Sequence, residues 1–109
     1  MNRQSLTPSE VKRRVLELLN LGRYSDESGH FKHKHRNILR NHITYVLQTG
    51  QAIQERFEWS TEVYAWRYVI EGIDQDGRNL RIVFEFIEVS PFPDEWIYVV
   101  SAYDLNLKD

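Results

Sequence analysis

The apolar positions of this chain change period about halfway along. From Val11 to Leu47 they recur at helical spacing. From Ile53 to Tyr103 they alternate or crowd together, as strands do. Thr7-Pro8-Ser9-Glu10 fits a capping box, with Thr7 as N-cap, Pro8 at the first helical position and Glu10 reaching back to the N-cap amide. Val11, Val15, Leu18 and Leu19 then form one stripe. Lys12, Arg13, Arg14 and Glu17 lie largely off it, and Gly22 supplies a stop. Residues 24–29 are polar and turn-rich. The pattern predicts a second helix from His30 or Lys32 to Gln48, with Leu39, Ile43, Val46 and Leu47 as its apolar face and Gly50 closing it.

Beyond Gly50 the signals are those of strands. Residues 51–59 alternate moderately, with Ile53, Glu55 and Phe57 on one side. Residues 63–73 are rich in β-branched and aromatic side chains. Asp74-Gln75-Asp76-Gly77 turns the chain. In residues 79–89, Leu80, Ile82, Phe84 and Phe86 alternate with Arg81, Val83, Glu85 and Ile87. Pro91 and Pro93 force a loop, and residues 96–104 form a last strand. No internal repeat is apparent. The expectation is an α+β domain: two N-terminal helices packed on one face of a three- to four-stranded antiparallel sheet.

The totals narrow this picture. A chain of 109 residues buries one core and not two, so residues 1–109 read as a single domain. No apolar run approaches the roughly 20 residues that span a bilayer, so no membrane partner is expected. The start of the chain shows no signal peptide, and with 0 cysteines a cytoplasmic location is the default. The absence of cysteine excludes disulfides, thiolate nucleophiles and Cys-ligated zinc. The net charge of -2 hides an asymmetry: residues 1–56 hold 10 Lys+Arg against 5 Asp+Glu, and residues 57–109 hold 4 against 11. A basic face attracts phosphates and an acidic one repels them, although the halves of a sequence need not become faces of a fold.

Candidate chemistry is sparse. The run His30-Phe31-Lys32-His33-Lys34-His35 offers general acids, bases or metal ligands. No Asp or Glu follows within residues 31–54 to complete a metal site, so neither a metal nor another cofactor is expected. Arg67 and Arg81 sit inside apolar strands. There a guanidinium either grips a phosphate or pairs across strands, with Glu71, Glu85 or Glu58 as the available carboxylates. Tyr98 and Tyr103 on the last strand suit base stacking, a hydrogen bond to phosphate, or plain packing. No Gly-rich phosphate loop, nucleophile elbow or zinc spacing occurs.

Several short motifs recur in a telling order: Leu21-Gly22 at the end of the first helix, His30 to Arg36, Ile43, Val46-Leu47, Gly50, Arg67-Tyr68, Asp76-Gly77-Arg78 with Leu80 after it, and Ser101-Ala102-Tyr103. Over roughly residues 8–104 the chain resembles the family called domain of unknown function 4258, a relative of the RelE-like and MqsR-like toxins of bacterial toxin–antitoxin pairs. The resemblance implies a RelE-like fold and a toxin-type, metal-independent endoribonuclease of the mRNA-interferase kind. Its implied partners are RNA, free or on the ribosome, and a cognate antitoxin protein. That chemistry needs a base for the ribose 2′-hydroxyl, cations for the phosphate and an acid for the leaving oxygen. On matching positions the resemblance implies His30, Arg36, Arg67 and Tyr103 as catalytic. Arg81 joins them from its strand setting alone. The alternative is a non-catalytic interaction module of the same fold, binding a protein or nucleic acid. The acidic C-terminal half and the irregular histidine run favour it.

The ribonuclease reading makes a sharp expectation. Arg67→Ala abolishes cleavage, a loss on the order of 10²–10³ in rate for one positioned donor, with the melting temperature unchanged. Lys32→Ala only weakens binding. If Arg67 is a structural pair instead, Arg67→Ala lowers the melting temperature and there is no activity to lose. Cleavage assays beside thermal melts separate the two.

Overall fold

The computed structural model describes residues 4–26, 38–88 and 94–106. Helix α1 (Pro8–Asn20) starts at the capping box: Glu10 N–H donates to Thr7 Oγ1 at 3.2 Å, and Thr7 N–H donates to Glu10 Oε1 at 2.8 Å. It ends with Gly22 at φ +72°, where Arg23 N–H donates to Leu18 O and Gly22 N–H to Leu19 O. That pair of bonds satisfies two carbonyls that would otherwise be orphaned, and glycine adopts the required left-handed turn without a Cβ clash. The apolar stripe is buried through Val11, Val15 and Leu18, each worth about 1.5–3 kcal/mol.

Helix α2 (Arg40–Thr49) is shorter than its apolar pattern suggests. Ile38 and Leu39 are non-helical: Ile38 is buried, while Leu39, expected on the apolar face, is the exposed N-cap. The portion of the expected helix in residues 30–37 lies outside the described residues, as do His30 and Arg36. Ile43, Val46 and Leu47 are fully buried as expected. Lys12 of α1 donates from Nζ to Leu47 O and Gln48 O at 2.9 and 3.0 Å. This cation caps the carbonyl end of α2, where the helix dipole favours positive charge. Burial lowers the Lys12 pKa.

The sheet departs from expectation. It has six strands and is mixed: β1 (Tyr24–Asp26), β2 (Gln51–Ala52), β3 (Glu58–Ser60), β4 (Ala65–Ile73), β5 (Asn79–Glu88) and β6 (Glu95–Asp104). The order is β1-β6-β5-β4-β2, with β3 pairing the same strand as β2, and β1 runs parallel to β6. A three- to four-stranded antiparallel sheet is therefore incorrect, although the α+β class holds. Three short strands account for the difference. Three polar residues in β1 give no periodicity to read, and a 3-10 turn at Gln54–Arg56 splits the expected strand over residues 51–59.

Both helices pack on one face of the sheet. Tyr68, Ile70, Leu80, Ile82, Phe84, Ile97, Val99 and Ala102 turn inward to meet α1 and α2. The alternation over β5 places Leu80, Ile82 and Phe84 inside as expected. A bulge after Val83 lets Phe84 pair Val99, which leaves Val100 as the extra residue of β6 and keeps both inner faces in step.

The tightest packing is backbone against backbone. A Cβ on Gly50 would lie 2.5 Å from Glu71 O and 2.7 Å from Val46 O, and one on Gly72 would lie 2.8 Å from the Gly50 Cα. Neither position accepts a methyl without moving main chain. Gly50→Ala is expected to lose about 2–3 kcal/mol in urea unfolding. Gly22→Ala has open space and only the left-handed backbone to oppose it, and is expected to lose about 1 kcal/mol.

Candidate functional site

Residues that alternate with the core positions line the opposite face of the sheet. On β4 these are Arg67, Val69, Glu71 and Ile73. On β5 they are Arg81, Val83, Glu85 and Ile87, and on β6 Trp96, Tyr98, Ser101 and Tyr103. Neither α1 nor α2 covers this face. Its centre is ionic. Arg67 Nε donates to Glu85 Oε2 at 2.9 Å, and Arg81 Nε to Glu71 Oε2 at 2.7 Å. Arg56 reaches the same Glu71 oxygen at 3.4 Å. The Glu85 side chain is only 4% exposed, so Arg67 is the charge that makes its burial tolerable. The hydrogen bond to Glu85 and the further charges of Glu62 and Glu58 raise the Arg67 pKa against the effect of its own burial.

The pairing follows from a sequence feature that a search for repeats at domain scale passes over. Arg67-Tyr68-Val69-Ile70-Glu71 and Arg81-Ile82-Val83-Phe84-Glu85 share the pattern Arg-x-Val-x-Glu. The β4–β5 hairpin sets them antiparallel with Val69 opposite Val83, so each arginine meets the other pentad's glutamate.

Three of the five residues proposed from sequence lie on this face, and they do not form one cluster. Tyr103 stands directly opposite Arg81. Arg67 is four positions away along the strands, about 13 Å. His30 and Arg36 lie outside the described residues. The grooves lined by Leu16, Leu19 and Gln48, or by Arg14, Leu21 and Glu95, belong to the α1 side and include none of the five.

Two further polar clusters went unread in the sequence. At the sheet edge, Tyr24 Oη donates to Asp26 Oδ2 at 2.6 Å. Arg40 grips both Asp26 oxygens at 3.3 Å, its guanidinium 5.4 Å from the Tyr24 ring centroid. The Asp26 side chain is 4% exposed, and burial first, then this carboxylate, push the Tyr24 pKa up. No local signal marks the Asp26–Arg40 pair, because Arg40 lies in α2. The second cluster is His42, Asp74 and Asp76, whose ligand atoms lie within 4.8 Å of one another. Leu39 N–H donates to His42 Nδ1 at 3.0 Å, so the neutral ring carries its proton on Nε2 and donates to Asp76 Oδ2, also at 3.0 Å. A metal on Nε2 would need that proton on Nδ1, where the Leu39 N–H already points. Asp74 is turned to Asp76 N–H, Arg78 N–H and Arg78 Nε. These residues fit a clasp between α2 and the β4–β5 turn, and not a metal centre.

The clasp has a pH signature. Burial raises the Asp74 pKa, but the Arg78 amide, the Arg78 guanidinium and the Asp76 amide together hold it below the usual carboxylate range. A depressed folded pKa stabilises the fold above the unfolded value and loses that contribution as pH falls through the folded one. The stability gap between wild type and Asp74→Asn is therefore expected to be full at neutral pH and to close as pH falls below about 4, as read by urea unfolding.

No curated protein and no solved structure matches the chain. A sequence profile does: that of a family described as a domain of unknown function matches residues 30–104, which is 75 of the 109 residues. The match takes in α2, every strand after it and the whole ionic face, and on that ground the chain belongs to the DUF4258 family.

Proposed function

We propose that this chain is a non-catalytic interaction module whose ionic sheet face, the one turned away from α1 and α2, recognises a protein partner. The pairing of Arg67 and Arg81 with Glu85 and Glu71 carries this reading. A phosphate chain is drawn to uncompensated cations. Here Arg56, Arg67 and Arg81 are matched by Glu58, Glu71 and Glu85 on one surface, so its field is near neutral. Aromatic side chains and arginine are instead the residues enriched at protein interfaces. Trp96, Tyr98 and Tyr103 supply the aromatics around the ion pairs, while Val69 between those pairs is already buried within the chain.

A toxin-type, metal-independent endoribonuclease is the second reading. One observation favours it: Arg81 and Tyr103 are direct cross-strand neighbours, a cation and a hydroxyl side by side on the face turned away from α1 and α2. The relation to RelE-like toxins and the antitoxin partner belong to this reading.

Induction in a bacterial host, with RNA integrity followed alongside growth, tests the pair. The interaction reading expects normal growth and intact RNA. It also expects Arg67→Ala to lower the melting temperature, by about 1–3 kcal/mol of stability, because Glu85 is left buried without its partner. RNA cleavage that Arg81→Gln or Tyr103→Phe removes at unchanged melting temperature replaces it with the ribonuclease.

A further inference from the structure

Resting on the interaction reading, we infer that the tip of the β3–β4 hairpin is a docking prong, which seats Val63 and Tyr64 in an apolar socket rimmed by lysine or arginine on a protein partner. The tip is the loop Thr61–Tyr64, closed by the pairing of Ser60 with Ala65. All four of its residues are exposed. Tyr64 is 72% exposed, the largest fraction of any large apolar side chain among the described residues, and Val63 beside it is 49% exposed. Nothing within the fold accounts for this tyrosine. It stands outside the core and outside the half-buried side chains packed on the core. Its backbone is left-handed, with φ +53°, and among the described residues it is the one non-glycine so placed. Hairpin loops often carry a left-handed residue, but glycine or asparagine fills that place without the steric cost of a bulky side chain. The fold is served as well by either. A ring that opposes its own backbone and buries little of itself has its use outside the chain.

The surroundings of the tip select its partner. Glu62 is in the loop itself, and Glu58 stands opposite Arg67 two pairs from the end of the hairpin. Both carboxylates are exposed. Arg67, the cation on which both act, is already bonded to Glu85. Glu88, exposed at the end of β5, adds a further negative charge at the same end of the sheet. An apolar tip set among carboxylates is drawn to a cationic surface and repelled by phosphates, which disfavours nucleic acid and an anionic membrane alike. A second copy of the tip would bring the same carboxylates against these.

Random peptides displayed on phage and panned on the full chain test this. The enriched peptides, synthesised and measured by fluorescence anisotropy, are expected to combine Lys or Arg with an aliphatic or aromatic residue. Tyr64→Asn is expected to melt no lower than wild type, since asparagine accepts the left-handed backbone. It is expected to bind those peptides on the order of tenfold more weakly or worse, as truncation of an interface anchor does. Glu58→Gln/Glu62→Gln keeps the apolar tip, and is expected to weaken binding and flatten its salt dependence. A Tyr64→Asn variant that melts well below wild type overturns the inference, because the tyrosine then serves the fold. So do a library that yields no binder, binders that are acidic, and binders that Tyr64→Asn holds as tightly as wild type does. Binders insensitive to Tyr64→Asn but lost in Arg81→Gln retain the interaction reading and move its site to the ionic face. Wild type that sediments with vesicles of phosphatidylcholine and phosphatidylserine, while Tyr64→Asn does not, replaces the protein partner with a membrane. RNA cleavage by the wild type removes the interaction reading itself.

Discussion

The approach of Gly50 to Gly72 governs where everything else can sit. Two glycines meeting at backbone distance let the end of α2 rest directly on β4. The chain then leaves the helix and enters β2 with no connecting loop, since Gln51 already pairs Glu71 and Ala52 pairs Ile70. Val46 is pressed against the same spot, and Lys12 reaches across from α1 to the carbonyls just before it. One side of β4 is thereby committed to helices. Because strand side chains alternate, Arg67, Val69 and Glu71 are committed to the other side by the same contact. That the ionic face is turned away from α1 and α2 follows from where the helix is anchored.

Local chemistry announced much of this fold. The capping box needs only Thr7 and Glu10, and the left-handed helix end only Gly22, so both could be read from a few residues. The ten residues of β5 are long enough for alternation to show, and the turn at Asp74–Arg78 carries its own hydrogen-bonding side chain. What was hidden depends on distant partners. β1 is a strand because β6 is beside it, not because of its three residues. Leu39 fits an apolar helical face by spacing, yet His42 caps the helix there and turns Leu39 out to solvent.

The candidate site was legible to the same extent. The strand positions of Arg67, Arg81 and Tyr103 and the identity of the available carboxylates could be stated from alternation. Which carboxylate each arginine takes could not, since that is fixed by hairpin register. Asp26 was invisible for the same reason: Tyr24 stands two residues before it, but Arg40 is brought to it by a helix start that the pattern did not reveal.

The paired pentads also bear on how the hairpin forms. Cross-strand pairing can slip by an even number of residues without turning the inner face outward. A slip of four would set Arg67 against Arg81 in one direction and Glu71 against Glu85 in the other, like against like in the middle of the sheet. A slip of two would strand each arginine opposite a valine or an isoleucine and leave Glu85 to be buried alone. Only the native alignment cancels all four charges. During folding the ladder thus rejects its own misalignments, a kind of proofreading built into five residues written twice. Any use of the finished surface for recognition would reuse charges that had already served to align it.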